Sequence, residues 1–150
     1  MYYSQFGQDK YINENIFKNK FGGFFVEIGA LDGIHISNTY FFEKELEWKG
    51  IAIEARESSF KELKKNRNCI CINAVVTGVS GEVKEFMECT GRNMGFSGLT
   101  DSYSKERLHG NYKKSTKYGT AYSFSKKVTK SFNEILVENN VKHIDYLSID

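Results

Sequence analysis

FFVEIGALDG, residues Phe24 to Gly33, decides how the rest of the chain is read. Phe24 to Ile28 is nearly all apolar, as a strand covered on both faces is. The run then breaks into Gly29, Asp32 and Gly33, with Glu27 just inside the strand. A tight turn with solvated acids satisfies that local pattern. So does a ligand seated over the carboxyl end of the strand, and the residues downstream favour the ligand.

Outward from this stretch the pattern alternates. Ser37 or Asn38 can cap a helix that runs through Leu46, with Tyr40 and Phe41 in its turns. Ile51 to Ile53 is a second strand, ending at Glu54. Ser58 or Ser59 caps a helix to Asn66, with Phe60 and Leu63 on its apolar side. Cys69 to Val75 is a third strand. Strand, helix, strand, helix, strand predicts a parallel sheet with crossover helices. Upstream, Asp9 to Lys18 reads as a helix. Downstream, GEVKEF from Gly81 is a short extended segment, and residues 89–120 form a long loop or insertion rich in Gly, Ser, Thr, Asn, Lys and Tyr. Ala121 to Val128 reads as a strand. Ser131 caps a helix from Phe132 to Asn139, with Ile135 and Leu136 inward. Tyr146 to Ile149 is a further buried strand that ends at Asp150.

The chain has 150 residues, 40% hydrophobic and 27% charged, which fits one ordinary soluble domain. A net charge of +2 is too small to argue for nucleic acid as a partner. The basic pairs Lys113-Lys114 and Lys126-Lys127 read as solvated surface. No apolar run reaches the length of a membrane span, and the N-terminus lacks the order of a signal peptide. The expected location is cytoplasmic. Cys69, Cys71 and Cys89, with His35, His109 and His143, show no zinc spacing, so no metal site is predicted.

The loop reads E-x-G-x-x-x-G, not G-x-G-x-x-G. Asp32 before Gly33 disfavours a phosphate and favours a ligand with a cationic portion. S-adenosyl-L-methionine has one: Glu27 or Asp32 can approach its amino group, directly or through water, while loop N–H groups meet its carboxylate. Glu54, at the end of strand two, is placed to accept from ribose hydroxyls. Asn73 and Ala74 end strand three where an adenine edge could sit. Asn38 is a helix cap, or it orients the loop or a ligand carboxylate. Asp150 points into the same crevice. Asp150 and His35 are the candidate bases for a hydroxyl acceptor. Tyr103, His109 and Tyr112 are candidates to shape the acceptor pocket. Two other functions fit parts of this pattern: a nucleotide-dependent oxidoreductase, since Glu54 serves NAD equally well, and a non-catalytic binding or assembly module.

Taken together, these strings resemble the FkbM family of S-adenosylmethionine-dependent methyltransferases. The resemblance runs from Tyr3-Ser4-Gln5-Phe6-Gly7-Gln8-Asp9 through Phe25 to Gly33 and Ser37-Asn38-Thr39 to Gly50-Ile51-Ala52-Ile53-Glu54-Ala55. It resumes at Asn73-Ala74-Val75, at Gly98 and at Ile144 to Asp150. It implies an α/β class I methyltransferase fold, Rossmann-like and largely parallel, with sheet order 3-2-1-4. It implies O-methylation of a sugar or small metabolite. Glu27, Gly29 and Asp32 then look like the donor loop, Gly33 closes its turn, and Glu54 looks like the ribose acid. Asp150 looks like the first residue of the family's D-x-E-G segment. Ala55 stands where the family commonly has proline. On this resemblance the chain is the N-terminal part of a single domain, truncated after strand four. An open sheet edge would then favour self-association.

Overall fold

β1 (Phe24–Ile28) lies inside a four-stranded parallel sheet, paired on one side with β2 (Lys49–Glu54) and on the other with β8 (Tyr146–Ile149). β2 pairs in turn with β3 (Ile70–Asn73), so the order is β3-β2-β1-β8. The expected order 3-2-1-4 is the observed one, with β8 in fourth place. The computed structural model describes residues 1–104, 106 and 121–150. They form two units: Met1–Val76 with Asn133–Asp150, and Thr77–Phe132.

Phe25 and Val26 are both fully buried. Consecutive strand residues point to opposite faces, so β1 is covered on both. Three helices in the first unit have the expected positions with shifted ends. They are α1 (Gln8–Ile12), α2 (Tyr40–Leu46) and α3 (Glu57–Asn66). α1 continues as wider π-helical winding over Asn13–Phe17, so the predicted single helix changes its pitch midway. α3 is preceded by Arg56, which offers no side-chain cap, and Ser58 and Ser59 fall inside the first turn. α4 (Phe132–Glu138) buries Ile135 fully.

The main core is aromatic. Phe25, Phe41, Phe42, Leu46 and Trp48 pack together, with Tyr2, Phe17 and Tyr146 against them. Phe42 and Phe17 meet the Trp48 ring at centroid distances of 4.8 and 4.7 Å, and the Trp48 indole donates to the Lys20 carbonyl at 2.8 Å. Cys69 and Cys71 pack beside Ala30, Ala52 and Leu63, on one side of β3 as their spacing requires.

β3 stops at Asn73, and Val75 belongs to β4 (Val75–Thr77) in a second sheet. The expected single strand over Cys69 to Val75 is therefore two strands separated at Ala74. The second unit holds β5 (Val83–Cys89), β6 (Gly98–Leu99) and β7 (Tyr122–Ser131), in the order β4-β7-β5-β6. β5 and β7 are antiparallel, with Phe86 opposite Ser125. Phe86, Met87 and Cys89 are its buried residues on β5. Of the expected loop over 89–120, residues 91–102 carry two short 3-10 turns and β6, and residues 107–120 lie outside the described residues. Among the described residues no helix is long and apolar enough to cross a membrane.

Asp145 ties the start of β8 to the start of β1. Its carboxylate accepts from the Phe24 N–H at 2.9 Å and from Lys20 at 2.7 Å. The Lys20 hydrogen bond, helped by the Phe24 N–H and His143 and opposed by burial, holds its pKa below the ordinary value. A lowered folded pKa gives stability that is full above the unfolded pKa of about 3.9 and lost as pH falls through the folded one. Asp145→Asn should therefore be less stable than wild type at pH 7, with the gap narrowing towards pH 3. Urea unfolding at both pH values measures it, and a constant gap would refute it.

Candidate functional site

The strand order reverses direction between β1 and β8, and at such a switch point the carboxyl strand ends leave a crevice. The loop after β1 lines it. Gly29 (φ +87°) and Ala30 donate their N–H groups to the Ile53 carbonyl at 2.9 and 3.0 Å, folding the loop onto the end of β2. A Cβ at Gly29 would lie 3.0 Å from the Asp150 carbonyl oxygen, so a side chain there meets both a strained φ and the end of β8. Leu31 and Ile36 also hold positive φ, 49° and 55°. For a β-branched residue such as Ile36 that backbone is costly and must be imposed by its surroundings.

The imposing groups are charged and buried. Glu27 is 1% exposed. Its carboxylate accepts from the Ser37 hydroxyl, from the Asn38 N–H at 2.7 Å and from the Thr39 hydroxyl at 2.7 Å. Arg67 reaches it at 3.3 Å and Glu43 at 2.6 Å. The same guanidinium donates to the Gly33 carbonyl at 3.1 Å and to the Thr39 hydroxyl at 2.9 Å. It also lies over the Phe25 and Tyr40 rings, at 5.2 and 5.5 Å from their centroids. Arg67 thus grips the loop at both ends. Ser37 accepts from the Thr39 and Tyr40 N–H groups and so serves the start of α2, one of the two caps foreseen there.

At the other end of the loop, Glu54 is 4% exposed. It accepts the Leu31 N–H at 2.8 Å and the Arg56 N–H at 2.7 Å, one on each oxygen. Asn73 donates its amide to the carbonyls of Glu54 and Ala55, at 2.8 and 3.3 Å. Its donor end thus braces β2, and Ala74 beside it is half-buried at the change of sheet.

Across the crevice, Asn38 is 5% exposed and donates its amide to Ser148 at 2.9 Å and to the Asp150 carboxylate at 3.1 Å. Its Oδ1 is buried and has no partner among the described residues. Turning the amide over would set that oxygen against the Asp150 carboxylate, another acceptor, which favours the present orientation. Burial first, and then the charge of Glu27, raise the Asp150 carboxyl above its ordinary value.

The sequence-derived residues therefore fall into three groups. Gly29, Glu54 and Asp150 stand at the carboxyl ends of β1, β2 and β8, and Asn38 is bonded to Asp150. Glu27, expected beside a ligand amino group, has both oxygens engaged by the protein's own donors inside the first unit. Asp32 accepts from the Ile34 and His35 N–H groups at 3.0 and 2.8 Å, which shapes the turn. A Cβ at Gly33 (φ +83°) would meet Leu63 and Arg67 within 2.7 Å. The His35 side chain is exposed on that turn. Tyr103 stands in the second unit and donates its hydroxyl to the Phe96 carbonyl at 2.9 Å. His109, Tyr112, Lys113 and Lys114 lie outside the described residues. Arg56 and Arg67 went unforeseen. Both sit in polar stretches at helix ends, where an arginine ordinarily reads as solvated.

The fold is that of an α/β protein with a parallel sheet whose first strand runs into a glycine-containing loop. The family model described as the methyltransferase FkbM domain matches residues 27–150, and the chain belongs to that family. The Tyr3 to Asp9 stretch precedes the matched span. It is folded by Asp9, fully buried, which accepts from the Tyr3 and Ser4 N–H groups at 2.6 and 3.1 Å and leaves Ser4 bridged to Ile36 in the loop. No curated protein and no solved structure matches the chain.

Proposed function

We propose that the chain binds S-adenosyl-L-methionine in this crevice, in a class I, Rossmann-like arrangement, and serves methyl transfer to a hydroxyl of a sugar or small metabolite. The observation that carries the reading is the pair of acceptors on the two sides of the loop: the orphan Asn38 Oδ1 with the Asp150 carboxylate at β8, and Glu54 at β2. A buried acceptor left unpaired calls for a donor from a ligand. The donor molecule has the complementary groups, an ammonium at one end and a ribose diol at the other.

In this reading Asn38 and Asp150 hold the ammonium, and Glu54 takes the ribose hydroxyls. Gly29 lets the ligand approach the backbone. Glu27 acts through the loop rather than on the ligand. When bound, the donor supplies an electrophilic methyl group on a sulfonium. The chain's own share is to fix the acceptor oxygen in line with that methyl, since orientation can account for much of such a rate. With Asp150 engaged by the ammonium, the exposed His35 is the candidate to take the hydroxyl proton.

Calorimetric titration with S-adenosylhomocysteine tests the reading. Micromolar binding is expected, with NAD binding at least about tenfold weaker, a difference of about 1.4 kcal/mol. Preferential NAD binding would favour the oxidoreductase instead. Donor binding without transfer across a broad panel of hydroxyl acceptors would favour the binding module.

A further inference from the structure

Arg56 follows Glu54 and Ala55 at the end of β2 and precedes the first residue of α3. It is 6% exposed. Its N–H is held by Glu54, and Nη2 lies a long 3.5 Å from the Ser58 hydroxyl. Nε and Nη1 are buried, and neither has a partner among the described residues. Buried donors in folded proteins are almost always paired. Arginine has no way to lose its proton and silence them. Two orphan donors on one buried cation therefore ask for acceptors that arrive with a ligand.

The surroundings decide which acceptors. The Glu54 carboxylate accepts the Arg56 backbone N–H, so one buried anion already stands in this turn. A phosphate brought here would add a second buried anion beside Glu54, at a cost in repulsion and desolvation. A neutral heteroaromatic ring suits the place better. Its ring nitrogens accept in the plane, and its face can lie on a guanidinium.

We propose that Arg56 is the base-recognising residue of the site: one of its free donors, Nε or Nη1, meets a ring nitrogen of the adenine whose ribose Glu54 holds. This rests on the donor reading above and adds to it the group that selects the base. Asn73, which braces Glu54 and Ala55, keeps the Arg56 backbone in place and is not itself the base reader.

The test is calorimetry on the full chain, wild type and Arg56→Met, with four probes. They are S-adenosylhomocysteine, its 3-deaza and 7-deaza adenine analogues, and adenosine 2′,5′-bisphosphate. Methionine keeps the length of the stem and removes the donors. The expected result is about tenfold weaker binding of S-adenosylhomocysteine by Arg56→Met. At least one deaza analogue should lose about as much on wild type and nothing further on the variant. That coupling separates recognition from a merely structural role, because a structural loss would fall equally on all analogues. Unchanged binding by Arg56→Met would overturn the proposal and leave the donor reading intact. Bisphosphate binding tighter than S-adenosylhomocysteine and lost in Arg56→Met would overturn it in favour of a phosphate seat. Wild-type protein that binds none of the probes would overturn both readings.

Discussion

Arg67→Met should destabilise the first unit by about 3–5 kcal/mol, the ordinary cost of removing one partner from a buried ion pair. That is a large share of the 5–15 kcal/mol typical of a domain. Arg67 has no exposed side-chain surface, and its two carboxylate partners, Glu27 and Glu43, are 1% and 9% exposed. Without the guanidinium both acids stay buried near one another, and the Gly33 carbonyl and Thr39 hydroxyl lose a partner as well. Arg67→Lys should recover little. A single ammonium has no fork to span Glu43, Gly33 and Thr39 at once. Glu27→Gln added to Arg67→Met should recover part of the loss, because it removes one of the two stranded charges. Urea unfolding of the four proteins measures all of this. A loss under about 1 kcal/mol for Arg67→Met would mean that the pair behaves like a surface one.

The same residue marks the limit of what the sequence carries. β1, β2, β3 and the crossover helices were legible because an apolar run bounded by glycine or a helical stripe is a local signal. Their spatial order came from the family resemblance, not from alternation, which gives only the parallel pairing. Glu54 was legible as an acid at a strand end. Arg67 was not, because it closes the basic string Lys64-Lys65-Asn66-Arg67, which reads as the solvated end of a helix. Its burial is decided by Glu27, 40 residues away, and by Glu43, 24 away. No periodicity reports contacts at that separation. The split at Ala74 was hidden for a related reason. Ile70 to Val76 stays mostly apolar across the change of sheet, so one composition covers two strands with different partners. Glu27 shows a third kind of limit. Its place in the motif was clear, but only the geometry reveals that it serves Ser37, Asn38, Thr39 and Arg67.

Glu54→Gln should weaken S-adenosylhomocysteine binding by about ten- to a hundredfold, the equivalent of about 1–3 kcal/mol for buried hydroxyls left without their acceptor. Each carboxylate oxygen accepts about two hydrogen bonds, and each already takes one backbone N–H, from Leu31 and from Arg56. A ribose diol would add its two hydroxyls to the donors gathered on this carboxylate. Glutamine has only one oxygen, so its amide must face one of those N–H groups, and the side chain has fewer acceptor positions to offer a diol. The loop end at Leu31 therefore loosens at the same time. A ligand lacking one hydroxyl separates the two effects. The 2′-deoxy analogue of S-adenosylhomocysteine should bind wild type about tenfold more weakly than the parent compound. On Glu54→Gln the two ligands should bind nearly alike, because the acceptor that told them apart is gone. If the variant still discriminates as wild type does, Glu54 holds the loop and not the ribose. The diol would then have to find its acceptor elsewhere in the crevice.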